Sequence, residues 1–184
     1  MLINTTINSV AVLKIGRYVL LLVAVLMFGA GCSPKSIHST NEKEDIVSVL
    51  DDWHRAAARA EYDTYFNHMK HDAIFMGTDA TEYWTKEEFK RFSKPYFTRG
   101  KAWNFTPVSR NIYLSENNQT AWFDEKLDTP NLGPARGSGV LIYSDTTWLI
   151  THYNLSIPIP NAIVDTVVQQ VAAEQAATDG YLTK

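Results

Sequence analysis

Apolar residues recur at helical spacing in the part of the chain that follows residue 41. Over residues 42–60 they fall on one stripe of a helix, made up of Ile46, Val49, Leu50, Trp53, Ala57 and Ala60. Ser39 and Asn41 each stand three residues before a glutamate, which is the spacing of a capping box at a helix start. The pattern therefore predicts an amphipathic helix whose stripe faces a core.

Two further helices and a short strand are predicted before residue 100. Asp63 can cap a short helix, and the apolar run at 73–76 predicts a brief buried strand. Thr85 and Glu88 form another capping box, and the helix behind it has an apolar side made of Phe89, Phe92 and Phe97. We expect Pro95 to kink this helix or to end it early.

From residue 101 the pattern changes to that of strands. Alternating apolar segments cover residues 103–105, 108–114, 120–127, 136–143 and 148–156, and turn-forming residues separate them. Helices followed by an antiparallel meander define an α+β class, in which the helices cover the apolar face of the sheet. The segment behind the last strand is predicted either as a final helix or as a frayed tail.

The N-terminal segment has the pattern of an export signal. Lys14 and Arg17 precede an apolar run at 18–28, and small residues at 29–31 lead directly to Cys32. The run is too short to cross the roughly 30 Å hydrocarbon core as a helix. The cysteine at its end resembles the lipobox of bacterial lipoproteins, in which the thiol is acylated and the cysteine becomes the first residue. We therefore expect a lipidated Cys32 that attaches the protein to a membrane of the cell envelope, facing the periplasm or the outside; the alternative is a plain secreted protein with a free thiol.

These features divide the chain into four segments: a signal peptide at 1–31, a polar tether at 32–41, one domain at 42–160, and a C-terminal helix or tail at 161–184. The net charge is −3, and removal of the signal takes away two cations and no acids. The remaining basic residues are scattered among acids, whereas a phosphate-binding face needs clustered Lys and Arg. We therefore expect no nucleic-acid partner.

Several segments together resemble the SnoaL-like branch of the NTF2-like superfamily, over about residues 42–160. They are the helix with Trp53, Asp72–Asp79, Ala121–Glu125, Arg136–Leu141 and Trp148–Ser156. The resemblance implies a cone-shaped α+β barrel, with a strongly curved antiparallel sheet wrapped on the N-terminal helices and a pocket in the cone. It implies little about chemistry, because the fold carries isomerases, cyclases, dehydratases, ligand binders and assembly domains. It also implies a homodimer through the convex side of the sheet, for which the exposed candidates are Phe123, Glu125, Arg136 and Tyr153.

The position of the pocket can be argued from strand parity. If Asp145 and Thr146 are the turn of a hairpin, Gly139 faces His152 and Gly137 faces Asn154. Glycine opposite a large polar side chain leaves room on that face, so these two polar residues are expected to point into a cavity.

The resemblance implies that Trp122 and Asp124 share this concave face. We therefore predict Asp124 and His152 as the polar centre, either as an acid and base pair or as hydrogen-bonded structural residues. The remaining pocket residues are predicted to be Trp53, Tyr65, Tyr83, Trp84, Trp103, Phe105, Trp122 and Asn154.

Other sites are weaker or absent. His68, His71 and Asp72 lack a clear fourth metal ligand, so neither a metal nor a cofactor is predicted. Nucleophile-elbow, P-loop and dinucleotide motifs are not found. Two hypotheses follow: a lipid-anchored module that binds a small, largely apolar ligand or a partner protein, or an isomerase, dehydratase or hydrolase that uses Asp124 and His152.

Overall fold

The computed structural model describes residues 42–182, and side chains as far as residue 177. The described residues belong to one compact unit. The predicted signal peptide, the acylation site Cys32 and the tether lie outside the described residues. Within the described part, no helix is both long and apolar enough to cross a membrane.

The described helices are α1 (Glu42–Ala58), α2 (Tyr62–Asn67), α3 (Lys86–Thr98) and α4 (Val164–Leu182), with a 3-10 turn at Asn161–Ile163 before α4. The capping box of α3 is present as predicted: the Thr85 hydroxyl accepts from the Glu88 amide, and the Glu88 carboxylate accepts from the Thr85 amide. Pro95 lies inside α3, which continues to Thr98 and therefore does not end early at the proline.

The sheet contains β1 (Met69–Met76), β2 (Tyr83–Thr85), β3 (Thr106–Leu114), β4 (Thr120–Thr129), β5 (Gly133–Ser144) and β6 (Thr147–Ser156). Its order is β2-β1-β6-β5-β4-β3, so β2 and β3 are the two edges and the curved sheet is not closed into a barrel. The last four strands form the predicted antiparallel meander, but β1 runs parallel to β6. The short strand β2 had no clear sequence signal, and residues 103–105 precede β3 instead of forming a strand.

One face of the sheet is buried and the other is partly exposed. Along β4 the buried side chains are Ala121, Phe123, Glu125, Leu127 and Thr129. Helix α1 supplies Ile46, Leu50 and Trp53 to the same core. The helix-covered face, here called the inner face, therefore carries the odd-numbered residues of β4, and the even-numbered residues lie on the outer face.

A bulge in β6 decides which of its residues face inward. The register near the turn is as predicted, with Tyr143 opposite Trp148 and Leu141 opposite Ile150. The next pair is Val140 with His152, so β6 contains one extra residue, Thr151, at this point. From there on the prediction is wrong by one residue: Tyr153 pairs with Gly139 and Asn154 with Ser138. Because side chains alternate with a period of two, the extra residue turns Tyr153 inward and leaves His152 and Asn154 on the outer face.

Candidate functional site

A buried carboxylate lies at the centre of the inner face. Glu125 is 1% exposed and lies on β4 between Phe123 and Leu127, its apolar neighbours on the inner face. Its Oε1 is 2.8 Å from Nε2 of His54 and accepts a 3.2 Å hydrogen bond from the Tyr153 hydroxyl. Its Oε2 accepts a 2.9 Å hydrogen bond from Nε of Arg110, and Nη2 of the same guanidinium lies 2.8 Å away. Nη2 makes no well-angled hydrogen bond, so this second contact contributes as a charge pair.

Arg110 connects this cluster to helix α1. Its Nη1 donates a 2.8 Å hydrogen bond to Oδ1 of the half-exposed Asp51. The guanidinium is almost completely buried and therefore needs both carboxylates to offset the loss of its hydration. Asp51 and His54 from α1, Arg110 from β3, Glu125 from β4 and Tyr153 from β6 thus form one polar cluster that joins helix and sheet.

The cluster keeps Glu125 ionised. Burial by itself would raise the pKa of this carboxyl, but the hydrogen bond and charge of His54 and the charge and hydrogen bond of Arg110 outweigh burial and hold the pKa below its ordinary value. Burial, followed by the charge of Glu125, raises the pKa of Tyr153 well above its ordinary value, so its hydroxyl stays protonated and donates. Both oxygens of the carboxylate therefore have hydrogen-bond partners inside the protein, and the side chain is closed off from solvent.

Gly137 and Gly139 leave the space that the inner side chains fill. A Cβ on Gly137 would overlap the Tyr153 hydroxyl and would lie 2.8 Å from Oε1 of Glu125. A Cβ on Gly139 would lie 2.5 Å from the backbone carbonyl oxygen of His152 and 2.8 Å from the ring of Phe123. The glycines were predicted to leave room for a cavity beside His152 and Asn154; this prediction is wrong, because the room is occupied by packed side chains on the other face.

A separate cavity of about 160 Å³ lies at the end of the sheet near helix α3. Its walls are mainly aromatic, formed by Phe75, Trp84, Phe89, Phe92, Trp103 and Phe105. The remaining lining residues are Gly77, Thr78, Glu82, Asn131, Leu132 and Leu155. Phe89 is the centre of the aromatic wall, because it stacks on Phe75 at 3.9 Å, on Trp103 at 5.5 Å and on Trp84 at 5.5 Å between ring centroids.

Two wider grooves lie on the surface of the described domain. One, of about 620 Å³, adjoins the aromatic cavity and shares Gly77, Thr78, Glu82 and Leu155 with it. The other, of about 560 Å³, lies between α1 and residues 104–110 and is lined in part by Asp51, His54 and Arg110. The polar cluster therefore borders the second groove and does not line the aromatic cavity.

The predicted polar centre is not where the sequence placed it. Asp124 and His152 lie on the outer face, on strands β4 and β6 with β5 between them, and Asp124 accepts a hydrogen bond from Asn111 at 2.9 Å. Trp122 is 47% exposed on the same face and stacks on Tyr113 at 5.7 Å between centroids. The prediction failed for two reasons: β6 contains a bulge, and the face of β4 that carries Trp122 and Asp124 was wrongly taken as the inner one.

Apart from Trp122, the predicted pocket residues fall into three groups. Trp84, Trp103 and Phe105 line the aromatic cavity. Tyr83 and Asn154 line the adjoining groove. Trp53 and Tyr65 are fully buried and stack on each other at 5.0 Å between centroids in the core.

The predicted dimer face also requires correction. Phe123, Glu125 and Tyr153 are buried on the inner face and cannot contact a second copy there, whereas Arg136 is exposed. Glu125 pairs with Arg110, and Arg136 lies opposite Lys126. The aromatic side chains that the outer face does expose are Tyr83, Tyr113 and Trp122.

Sequence reasoning missed the polar cluster, although two signals for it existed. His54 follows Leu50 by four residues and so lies next to the apolar stripe of α1. Arg110 shares the alternation of Ile112 on β3. In the described part of the chain, no group of three or more His, Cys, Asp or Glu side chains is placed to hold a metal ion.

Residues 46–160 match the family model of the SnoaL-like domain. Among curated protein sequences, none is similar enough to this chain to count as a match.

Solved structures share the fold at low sequence identity. An NTF2-like protein of unknown function from Pseudomonas putida KT2440 superposes with a TM-score of 0.56 at 11% identity, covering 67% of this chain and 91% of its own. An NTF2-like protein from Cytophaga hutchinsonii superposes with a TM-score of 0.53 at 15% identity, covering 64% of this chain and 99% of its own. A suggested dehydratase of the NTF2-like family from Streptomyces avermitilis superposes with a TM-score of 0.56 at 10% identity, covering 64% of this chain and 96% of its own. At these identities the similarity establishes the fold and not an activity.

Proposed function

We propose that this chain, which belongs to the SnoaL-like domain family, is a lipid-anchored protein of the cell envelope whose domain binds a small, largely apolar ligand. The aromatic cavity is the observation that supports this proposal. Its volume of about 160 Å³ is close to that of an engineered apolar cavity of about 150 Å³ that binds benzene. A ligand of this size is a single aromatic ring, a short acyl chain or a compact alkyl group.

Binding is favoured over chemistry because of how the ionisable groups are placed. Glu125 is paired on both oxygens and lies outside the aromatic cavity, whose lining residues include the carboxylate of Glu82 but no histidine. A general base needs a lone pair within hydrogen-bond reach of the substrate proton. The reaction predicted for Asp124 and His152 stays a prediction, and β5 separates their strands.

Ligand binding is tested with indole and benzyl alcohol as probes of the cavity. A bound probe stabilises the folded state by about 2.7 kcal/mol at a concentration of a hundred times its Kd, which thermal unfolding detects. Trp103→Ala removes one aromatic wall and is expected to weaken affinity about tenfold, or ~1.4 kcal/mol. Trp122→Ala removes a tryptophan from the outer face and is the matched control, with unchanged affinity. Equal loss in both variants, or no shift with either probe in the wild type, contradicts the proposal.

Lipid anchoring has its own test. Protein expressed in a bacterium with its full N-terminal segment is expected to start at an acylated Cys32 and to sediment with membranes, because two or more acyl chains give stable attachment. Mass spectrometry of the N-terminal peptide checks the modification. A Cys32→Ser variant should appear in the soluble fraction. An unmodified cysteine in a soluble wild-type protein contradicts the anchoring.

We also propose that two copies pair through the outer face of the sheet. Tyr113 and Trp122 are exposed on that face and stack on each other, and exposed aromatic patches on soluble domains often mark interaction sites. Light scattering of residues 33–184 should give the mass of a dimer, and Trp122→Asp should give a monomer. A monomeric wild type at micromolar concentration contradicts the pairing.

A further inference from the structure

One charged side chain lies among the aromatic walls of the cavity. Glu82, directly before β2, lines both the aromatic cavity and the adjoining groove. The Glu82 side chain is partly buried, and its Oε2 accepts a 3.2 Å hydrogen bond from the backbone amide of Asp79. A carboxylate accepts about four hydrogen bonds when fully satisfied, so Glu82 retains acceptor capacity beside the cavity.

The loop before β2 holds this carboxylate in place. The amide of Gly77 donates a 2.9 Å hydrogen bond to the carbonyl of Glu82, which closes the loop. A Cβ on Gly77 would overlap Oε2 of Glu82, so the carboxylate packs directly over the glycine backbone. Glycine at position 77 thus permits the approach of Glu82 to the end of β1, where both residues line the cavity.

The surroundings of Glu82 carry negative charge. Asp79 lies on the adjoining groove, and hydrogen bonds from the hydroxyl and amide of Thr81 lower its pKa, so Asp79 is ionised near neutral pH. The described residues that line the cavity and this groove include no lysine, arginine or histidine. A cationic ligand would therefore find two carboxylates and no competing side-chain cation.

The aromatic walls suit the same charge. The face of an aromatic ring attracts a cation through its quadrupole, most strongly for tryptophan, and the attraction grows when the cation leaves water. Trp84 and Trp103 are partly exposed and Phe92 is 40% exposed, so part of their ring surface is available to a ligand. Rings together with a carboxylate form the kind of aromatic cage that recognises alkylated ammonium groups.

We propose that the ligand of the aromatic cavity carries an alkylammonium or quaternary ammonium group, held between Glu82 and the rings of Trp84, Phe92 and Trp103. This inference rests on the proposed ligand-binding function and defines its chemical class. A trimethylammonium group suits the cavity because it is compact, apolar on its surface and positively charged. The cation is expected to enter from the groove that Glu82 and Asp79 border.

The experiment compares choline with 3,3-dimethylbutan-1-ol (dimethylbutanol below), in which a tert-butyl group replaces the trimethylammonium group. Calorimetry and tryptophan fluorescence measure both affinities at about pH 7 and low salt. The two probes have the same shape, so their difference in affinity reports the charge. Choline is expected to bind at least tenfold more tightly than the alcohol, and the advantage should shrink as salt is added.

Glu82→Gln removes the charge and keeps an oxygen that can accept from Asp79. It is expected to reduce choline affinity about tenfold and to leave the affinity for dimethylbutanol unchanged. Glu87→Gln is the matched control, because Glu87 is an exposed glutamate of α3 that pairs with Lys90 away from the cavity. It should leave both affinities as in the wild type. Thermal unfolding of each variant establishes that it is folded.

The outcomes separate this inference from the proposed function. Equal affinity for choline and the alcohol leaves the cavity as a binding site but overturns its preference for cations. Choline binding that is unaffected by Glu82→Gln also overturns the role of Glu82. If neither these probes nor indole and benzyl alcohol bind, the ligand-binding function fails together with the inference.

Discussion

Replacing Glu125 by alanine is expected to lower the free energy of unfolding by about 3–5 kcal/mol, since removing one partner of a buried ion pair leaves the other charge uncompensated. The variant leaves Arg110 with Asp51 alone, and it leaves His54 and the Tyr153 hydroxyl without their common acceptor. Urea unfolding, monitored by tryptophan fluorescence, measures the change. The loss is a large fraction of the stability of a small domain, which is commonly about 5–15 kcal/mol.

Asp124→Ala is the matched control for this experiment. It removes a carboxylate from the neighbouring position of the same strand, but on the outer face, where the partner Asn111 is exposed. The expected change is within about 0.5 kcal/mol. Similar losses in the two variants would contradict the assignment of inner and outer faces, and a larger loss at Asp124 would restore the arrangement predicted from the sequence.

The same carboxylate makes stability depend on pH. The pKa of Glu125 is lower in the folded protein than its ordinary value of 4.5, so the unfolded chain binds more protons in this range. The contribution of Glu125 is therefore present above about pH 4.5 and is lost as the pH falls through the lowered pKa. Glu125→Gln should flatten this part of the stability curve. A variant whose acid limb has the wild-type slope would show that other carboxyl groups cause the decline.

Adding a methyl group at Gly137 is expected to destabilise the protein by about 1–3 kcal/mol, the usual cost of overpacking a close-packed core. The new Cβ would meet the Tyr153 hydroxyl first and Glu125 second. Tyr153→Phe removes the hydroxyl and gives up its 3.2 Å hydrogen bond, at a cost of about 1 kcal/mol. The double variant should lose less stability than the sum of the two single variants, by at least ~0.5 kcal/mol, because the closest overlap is gone.

Ser138→Ala serves as the control for Gly137→Ala. Ser138 is the next residue of β5 and lies on the outer face opposite Asn154, so its change should be within about 0.5 kcal/mol. Additive losses at Gly137 and Tyr153 would show that the hydroxyl does not fill the space above the glycine. In that case the glycine would be required for another reason, such as its contact with Glu125.

Several elements whose signals are local agree with the structure, whereas the predicted cap of α2 is wrong, because Asp63 lies inside that helix and Glu61 precedes it. The stripe of α1 depends on residues three and four apart, and the capping box of α3 depends on Thr85 and Glu88 alone. The turn after β5 and the first two pairs of the β5–β6 hairpin also depend on neighbouring residues. Together with the family resemblance, these signals were sufficient for the α+β fold.

The polar cluster depends on residues that are distant in the sequence. His54 and Glu125 are 71 positions apart, and Arg110 and Asp51 are 59 positions apart. Each of these residues by itself is typical of a solvated surface, so its type gives no indication of burial. Only the packing of α1 across β3, β4 and β6 brings their charges together and makes burial favourable.

The sequence by itself determined the class of the domain, the order of its helices and of its strands other than β2, and three of the aromatic residues that line the cavity, Trp84, Trp103 and Phe105. The tertiary structure decided which face of the sheet is inner and which residues share it. The reason is that strand side chains alternate with a period of two. The single extra residue Thr151 therefore moves each later residue of β6 to the face opposite the one predicted from the turn. A bulge of this kind is fixed by pairing with β1 and β5 together, and local sequence does not encode that pairing.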